Sequence, residues 1–382
     1  MSELNIMGRH AGTVIAIRDS DQSLAALSVG ITACKADVFA RARGAILRLM
    51  QLNFLSIAII VVVVLGILHA MAAFFYFSRT RHSAAWAAGW LFLAFACVWL
   101  LPDQPVAAGL VFALAILGWT VWWASIRALP RRIWVAENAR QATGEIAGNR
   151  LTLHDLRAFE WQSSHEFVPR WEDCSYDLVE LEALDLFVST WGDPRMAHLI
   201  VSFVFRNAPP LAFSIETRRE TTERWSSLAG FMKSYELIII ATRETDVVYV
   251  RTNIRRETVL LYRIVSTPEM RRRLLAQYIR ELNRLAARPR FYNTLFSNCT
   301  TEVARIVRAA GHSVPFDWRI LVSGYVPEYL YDLGLIDTSR PFAELRARAD
   351  FGALARATDE RADFSARIRR HLTPPGNLAG KV

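Results

Sequence analysis

Three long apolar stretches dominate the first third of the chain. The first runs from Phe54 to Phe77 without any Asp, Glu, Lys or Arg, the second from Ala84 to Leu101, and the third from Val106 to Ile126. A helix needs about 20 apolar residues to cross a bilayer, and each stretch meets or nearly meets that length. The third stretch ends in tryptophans, which are typical of the membrane–water interface. The pattern therefore predicts three membrane-spanning helices.

The connections between these stretches, residues 78–83 and 102–105, are very short, so we expect an up-down-up bundle with its two ends on opposite sides of the membrane. Basic residues lie at both ends of the bundle, so the positive-inside rule does not choose its orientation. The first stretch begins only after about fifty mixed residues, unlike a cleavable signal peptide. Because Met50 directly precedes it, we interpret residues 1–52 as an extension or an over-called start.

Beyond the spans, short alternating segments replace the long apolar runs. Alternation typical of strands occurs at residues 151–159, 198–205, 211–217, 235–242, 247–252 and 258–264. Helical patterns cover Pro268 to Ala287, with proline at its start, and Cys299 to Gly311, with glycine at its end. This order predicts an α+β fold in which an antiparallel sheet is flanked by helices. The predicted units are an N-terminal extension (1–52), a three-span anchor (53–126), a linker (127–150), a globular domain (151–338) and a helical, arginine-rich tail (339–382).

Charge and composition narrow the function classes. Lysine occurs only at Lys35, Lys233 and Lys381, so arginine carries nearly all the positive charge of a chain with a formal net charge of +9. Because no uninterrupted basic run or nucleic-acid motif is present, we interpret the positive charge as compositional bias together with proximity to a membrane, and we expect no nucleic-acid partner. Cysteine and histidine do not have the spacing of a zinc site, so we expect neither a metal nor a cofactor.

Cys299 lies where a turn-prone stretch, Phe291 to Asn298, becomes an amphipathic helix. A sulfur in the first turn of a helix faces unpaired N–H groups and the positive end of the helix dipole, which favour the thiolate. A thiolate is a nucleophile, so Cys299 is a candidate covalent catalyst. The alternatives are a buried structural cysteine and a disulfide with Cys174, the other cysteine of the globular region.

A thiol nucleophile needs a nearby base, which is usually histidine. His198 is the preferred candidate because it begins a hydrophobic strand directly after a Gly-Asp-Pro turn. His154, His165 and His312 are its rivals, in less regular segments or beyond the helix.

Two further polar residues are candidates for the same site. Glu216, on the next strand, could orient the imidazole, although an ion pair with Arg218 or Arg219 would also explain it. Asn298 could donate a hydrogen bond to an oxyanion or cap the helix that follows.

Several separate motifs occur in a defined order between Leu151 and Thr338. They are Trp191-Gly-Asp-Pro, Ala197-His198, Ser202-Phe, Ser214-Ile-Glu-Thr-Arg-Arg-Glu220, Tyr235-Glu-Leu-Ile, Arg251-Thr-Asn253, Tyr292-Asn-Thr and Asn298-Cys299-Thr-Thr. Together they resemble the Lnb N-terminal periplasmic domain family, which is similar to the circularly permuted, NlpC-like branch of papain-like thiol enzymes. The resemblance implies a permuted papain-like domain with Cys299 as nucleophile and His198 as base. It also implies a multi-pass protein of the bacterial inner membrane whose C-terminal domain faces the periplasm.

The family's namesake is a lipoprotein N-acyltransferase, from which this chain departs by placing three spans before the domain. We expect a membrane-anchored envelope thiol acyltransferase or hydrolase that acts on lipid-linked acyl groups through a Cys–His dyad, with membrane lipids and lipoproteins as partners. One alternative is a cysteine peptidase or amidase on peptide or cell-wall material, and another is a non-catalytic envelope scaffold with a Cys174–Cys299 disulfide. An apolar channel to Cys299 would favour the first, an open polar groove the second and bonded sulfurs the third.

Overall fold

The computed structural model describes residues 40–41, 43–44, 47, 50, 54–74, 76, 82–226, 228–357 and 360–372. The extension predicted for residues 1–52 and the end of the predicted tail, residues 373–382, therefore lie largely or wholly outside the described residues. The described part falls into two compact units, one around the apolar helices and one that contains the sheet.

Three apolar helices, α1 (Phe54–Phe74), α2 (Ser83–Leu100) and α3 (Pro105–Ser125), are each long and apolar enough to cross a membrane. Helices therefore occur where the sequence predicted them, and they are candidate membrane spans. Gly66 of α1 lies so close to α2 that a Cβ there would be 2.5 Å from the Cβ of Ala94. Small residues allow such close helix packing in membranes. Outward side chains such as Phe92 and Trp99 are largely exposed, which suits a lipid environment.

The second unit is built on an eight-stranded sheet. The strands of this unit are β1 (Thr143–Ala147), β2 (Arg150–Arg157), β3 (Glu160–Trp161), β4 (Phe167–Val168), β5 (Trp171–Asp177), β6 (Leu181–Thr190), β7 (Ala197–Phe205), β8 (Leu211–Arg218), β9 (Glu236–Arg243) and β10 (Thr258–Arg263). Their order in the sheet is β1-β2-β9-β8-β7-β6-β10, with β5 also paired to β2. Strands β3 and β4 form a separate pair. The α+β class is confirmed, but the sheet is mixed rather than purely antiparallel, because β2 meets β9 in parallel at Arg157 and Thr242.

The helices of this unit are α4 (Glu244–Tyr249), α5 (Pro268–Ala287), α6 (Cys299–Ala309), α7 (Val326–Asp332), α8 (Phe342–Ala349), α9 (Gly352–Ala355) and α10 (Phe364–Arg367). The strand predicted at residues 247–252 is wrong, since α4 and a π-helical turn, Val250–Ile254, occupy this segment. Its valines are buried on all sides, and a fully buried helix shows no polar face by which to distinguish it from a buried strand.

Each face of the sheet is covered by its own hydrophobic core. Helices α5 and α6 pack on one face, where Phe203, Phe213 and Tyr278 are fully or almost fully buried. On the other face, α4 and the C-terminal segment enclose Ile200 and Phe364. The described part of the predicted tail is helical, as expected. It packs on the sheet and contributes side chains to this second core.

Buried ion pairs tie the second core together. Asp246 accepts hydrogen bonds from Arg157 Nε at 2.8 Å and from Trp161 Nε1 at 2.8 Å. Arg369 donates to Asp185 of β6 at 2.8 Å and to Glu244 of α4 at 2.8 Å. A buried charge is tolerated when it is paired and hydrogen-bonded, and these groups satisfy that condition.

A candidate thiol active site

Cys299 is the first residue of α6, and Asn298 is its N-cap. The Oδ1 atom of Asn298 accepts the N–H groups of Thr300 and Thr301 at 3.0 and 2.9 Å, and the hydroxyl of Thr301 accepts the N–H of Asn298 at 2.9 Å. This reciprocal arrangement is a capping box. The Nδ2 group of Asn298 donates to the carbonyl of Thr294 at 2.8 Å. Of the two roles considered for Asn298, the structure displays the capping role, which fixes where Cys299 begins the helix.

The sulfur of Cys299 is half-buried and lies against the main chain of β7, with Sγ 4.0 Å from the carbonyl oxygen of Ala197. Burial raises the pKa of the Cys299 thiol, and this effect outweighs hydrogen bonding from Leu199 and Thr300. The expected thiolate is therefore corrected to a neutral thiol in the resting site. The helix terminus is a local source of positive potential, whereas desolvation depends on the whole fold and prevails here.

The cysteines Cys97, Cys174 and Cys299 are all free. Cys174 lies on β5, which pairs with β2, whereas Cys299 lies at the start of α6. The structure therefore contradicts a Cys174–Cys299 disulfide. The alternative of a non-catalytic envelope scaffold assumed this disulfide and is not supported by the structure.

His198 is the second residue of β7 and is buried, with 8% of its surface exposed. Its Nε2 atom lies 2.7 Å from the hydroxyl of Ser214, and that hydroxyl donates to Oε1 of Glu216 at 2.8 Å. An ionised carboxylate can only accept hydrogen bonds, so the single hydroxyl proton of Ser214 points to Glu216. The hydrogen bond between Ser214 and His198 must then use a proton on Nε2, which donates to the hydroxyl oxygen. The network therefore leaves Nδ1 as the basic nitrogen of neutral His198.

Glu216 lies 3.6 Å from Nε2 of His198, which is too long for a direct hydrogen bond. Its effect on the imidazole passes through Ser214. The ion-pair partner of Glu216 is Arg251, at 3.3 Å, rather than the Arg218 or Arg219 considered from the sequence. Arg218 instead donates to main-chain carbonyls, and Arg219 faces Glu137 at 3.5 Å.

Burial lowers the pKa of His198 to about 3, and the positive charges of Arg251 and Arg255 act in the same direction. Burial opposes the charge on Glu216, but the facing His198, Arg251 and Arg157 hold the pKa of this carboxyl at about 2. Near neutral pH the site therefore combines a neutral imidazole with an ionised glutamate.

The rival histidines lie elsewhere. His154 forms a 2.8 Å contact with Asp173 on an exposed edge, and His165 lies in a turn near Ser163. His312 follows α6 and lines a different cavity. Within the described part of the chain, His198 is the histidine that lines a cavity with Cys299.

That shared cavity has a volume of about 600 Å³ and is lined by Cys299, His198, Glu216 and Arg251, among others. Side chains alternate along a strand, and Ala197 and Leu199 belong to the core against which Cys299 packs. His198 therefore projects from the opposite face of β7, toward Ser214. Sequence reasoning placed both residues in one site, and the structure brings both to one cavity. Between these two described side chains, however, the resting structure forms no sulfur–imidazole hydrogen bond.

A second, apolar cavity of about 370 Å³ lies between the sheet and helices α5 and α6. Its walls include Leu199, Val303 and Val307, and Thr300 lines both this cavity and the one that contains Cys299. The hydroxyl of Tyr278, fully buried in this wall, has no hydrogen-bond partner among the described residues. The sequence did not predict this cavity, because the apolar faces of both helices are equally typical of an ordinary core.

Arg251 is a site residue to which the sequence assigned no role, although it lies in one of the motifs that carry the resemblance. A single arginine within the apolar run from Val247 to Thr252 was the available signal. It links Glu216 to Glu257, at 3.3 and 3.2 Å. Buried arginines in apolar runs are nearly always paired, so the residue pointed to a buried carboxylate.

The fold and these cavities define a membrane protein that carries an α+β domain with a buried cysteine and histidine in one pocket. The model of the Lnb N-terminal periplasmic domain family matches residues 167–324, which include His198, Ser214, Glu216 and Cys299. The match confirms the resemblance to this family that the sequence motifs indicated. Together with the three candidate membrane helices, it supports a membrane protein with a periplasmic domain. Searches of curated proteins and of solved structures found no match.

Proposed function

We propose that the protein is a thiol acyltransferase or hydrolase of the bacterial inner membrane that acts on lipid-linked acyl groups in the envelope. The observation that carries the proposal is the cavity that Cys299 lines together with His198 and Glu216, two residues that are connected through the hydroxyl of Ser214. A nucleophile, a base and a group that orients the base are the parts that covalent catalysis requires. A permuted papain-like topology, in which the histidine precedes the cysteine, is part of the same proposal.

In the first half-reaction, the sulfur of Cys299 attacks the acyl carbonyl while Nδ1 of His198 accepts the thiol proton. The bond between the carbonyl carbon and the leaving oxygen then breaks, the leaving alcohol takes the proton from Nδ1, and a thioester remains on Cys299. In the second half-reaction, an amine or water attacks the thioester, gives its proton to Nδ1, and the sulfur leaves and is reprotonated. The N–H of Cys299, the first residue of α6, would stabilise the oxyanion.

Because Cys299 packs on one face of β7 and His198 projects from the other, the proposal requires both side chains to approach each other within the shared cavity when substrate binds. Catalytic hydrogen bonds are often long in unliganded enzymes and tighten in the substrate complex. Because both groups are neutral at rest, the proton moves during the attack, and a preformed thiolate–imidazolium pair is not needed.

The apolar cavity favours a lipid substrate over a peptide. It lies behind the first turn of α6, shares Thr300 with the cavity of Cys299, and falls within the usual size range of ligand pockets, roughly 300–1,000 Å³. A hydrocarbon chain in this cavity would remove apolar surface from water and bring its carbonyl close to the sulfur. The competing peptidase or amidase function is favoured by the charged groups of the cavity that contains Cys299, among them Arg157 and Arg255.

The full chain in lipid nanodiscs tests the proposal. The protein is incubated with phospholipid or diacylated lipopeptide that bears a labelled acyl chain, and separately with cell-wall peptides, and Cys299 is then examined by mass spectrometry. We expect an acyl mass on Cys299, none in Cys299→Ala, and an unchanged result in the matched control Cys174→Ala. Turnover of the peptides, with no acyl group on Cys299 from either lipid, would instead establish the peptidase function.

A further inference from the structure

Large apolar side chains are exposed at one place on the domain in an unusual concentration. Fifteen such side chains are exposed among the described residues after Ile126, and ten of them lie in four short segments: residues 191–196, residues 225–226 with 228–231, residues 294–297 and residues 316–325. Phe296 and Phe316 are the most exposed, at 79% and 85%. Isolated exposed apolar residues are normal, but a cluster of this kind marks an interaction surface.

The four segments surround the cavity of Cys299. Trp191, Met196, Trp225 and Leu321 line that cavity directly. Thr294, from the segment that carries Phe296, lines it as well. Each of the four segments thus contributes at least one residue to the lining of the cavity that contains the candidate nucleophile.

The segments also pack against one another in pairs. A Cβ at Gly324 would lie 2.0 Å from the carbonyl oxygen of Pro194, so only glycine allows this approach, and Ser323 accepts the N–H of Ala197 at 2.7 Å. The N–H of Thr294 donates to the carbonyl of Gly230 at 3.2 Å. The fold therefore holds the apolar side chains in place as a built surface.

The side-chain composition of the surface indicates contact with a lipid bilayer rather than exposure to water or binding to a partner protein. Tryptophan and phenylalanine predominate, and tryptophan prefers the membrane–water interface. Arg224, an exposed residue beside one of these segments, can approach anionic headgroups, whereas the exposed Arg195 is paired with Asp193 at 2.7 Å.

The chain also brings a bilayer within reach of this surface. Arg132 forms ion pairs with Glu220 and Glu236, so the chain is already bound to the domain only six residues after Ile126. Six extended residues span at most roughly 20 Å. A domain on so short a tether meets the membrane far more often than a free domain would.

We propose that these four segments form an interfacial rim that inserts into the headgroup region of the bilayer around the mouth of the Cys299 cavity. The rim would exclude water from the mouth and let a lipid chain pass from the membrane into the protein. The insertion does not depend on catalysis, so it can be tested whether or not the proposed acyl chemistry is correct.

The test measures the depth of single labelled positions in the full chain. Phe296→Cys and Phe316→Cys are made in a background in which the four native cysteines are serine, labelled with an environment-sensitive fluorophore, and reconstituted in phosphatidylethanolamine–phosphatidylglycerol vesicles with or without spin-labelled lipid. Val179→Cys is the matched control, because Val179 is an exposed apolar residue, at 56%, outside the rim. We expect blue-shifted emission and several-fold stronger lipid quenching at positions 296 and 316 than at position 179.

Equal, weak quenching at all three positions would overturn the proposal. A blue shift that rises with protein concentration in detergent, without lipid, would also overturn it, because it would identify a second copy of the chain as the occupant. Each label replaces an exposed side chain, and circular dichroism of the three labelled proteins, compared with that of the unsubstituted chain, verifies that the cysteine-free background is folded.

Discussion

The hydroxyl of Ser214 lies 2.7 Å from Nε2 of His198. Because the same hydroxyl donates to Glu216, the carboxylate influences the imidazole indirectly, through the hydroxyl of Ser214. The chain of two hydrogen bonds selects the tautomer with a free Nδ1, which is the form that a general base requires.

Cys299 and His198 should behave as one catalytic unit. We expect Cys299→Ala, His198→Ala and the double variant to lose activity by similar factors, roughly 10³-fold or more, because residues that act together give non-additive losses. The measurement is kcat/KM for acyl transfer or hydrolysis, with Cys174→Ala as the control that stays active. Full activity in His198→Ala would assign the base to another residue.

Ser214 should be a positioning residue for the imidazole. We expect Ser214→Ala to reduce kcat by roughly 10²-fold, because Nε2 loses the acceptor that selects its tautomer. Ser214→Thr, which keeps the hydroxyl, should restore much of the loss. A purely structural role would instead lower thermal stability and leave kcat per folded molecule unchanged.

Glu216→Gln should cost less activity than loss of the nucleophile, yet it should change the protonation of the imidazole. A glutamine amide can donate to Ser214, which would turn the hydroxyl proton toward Nε2 and move the histidine proton to Nδ1. Nitrogen-15 spectra of histidine-labelled protein report the tautomer, and the His198→Gln spectrum identifies the resonance. An unchanged tautomer in Glu216→Gln would contradict the proposed chain.

Cys299 should titrate as a thiol with a raised pKa, since burial disfavours the thiolate. We expect the rate of alkylation at Cys299 to rise with pH along a curve displaced above that of an ordinary cysteine, near pKa ~8.5. The labelling is followed by mass spectrometry of the Cys299 peptide, with free cysteine in the same reaction as reference. A rate plateau already reached near neutral pH would show a preformed thiolate.

Acid should destabilise the folded protein partly through His198. Its pKa is about 3 in the folded state and near ~6.5 when unfolded, so the unfolded state binds more protons between these values. Stability is then retained above the unfolded pKa and lost as the pH falls, by about 2 kcal/mol between pH 6.5 and 5 for this one group. Thermal unfolding should show a smaller loss over this interval in His198→Gln. The same loss in the variant would assign the acid sensitivity to other groups.

The regular elements followed from local patterns. The helix expected from Pro268 to Ala287 has those bounds, and the strand expected at residues 198–205 begins one residue earlier. The strand expected at residues 211–217 extends by one residue. Period-two alternation and a proline helix start are properties of neighbouring residues, so the sequence alone suffices for such elements.

What the sequence did not predict depends on distant contacts. Arg251 faces Glu216 only because a π-helical turn places it beside the sheet. The protonation of Cys299 follows from its burial against β7, and the parallel contact of Arg157 with Thr242 joins strands far apart in the chain. Local periodicity carries no information about such contacts.

Arg369 has a consequence for how the protein is made. It connects β6 to α4 through Asp185 and Glu244, and Phe364 and Ile368 beside it are fully buried. These residues follow the sheet and the other described helices of the domain in the chain, so the second core cannot close until the segment around Arg369 has left the ribosome and crossed the membrane. We expect the domain to remain incompletely folded throughout translocation and to complete its structure only on the far side.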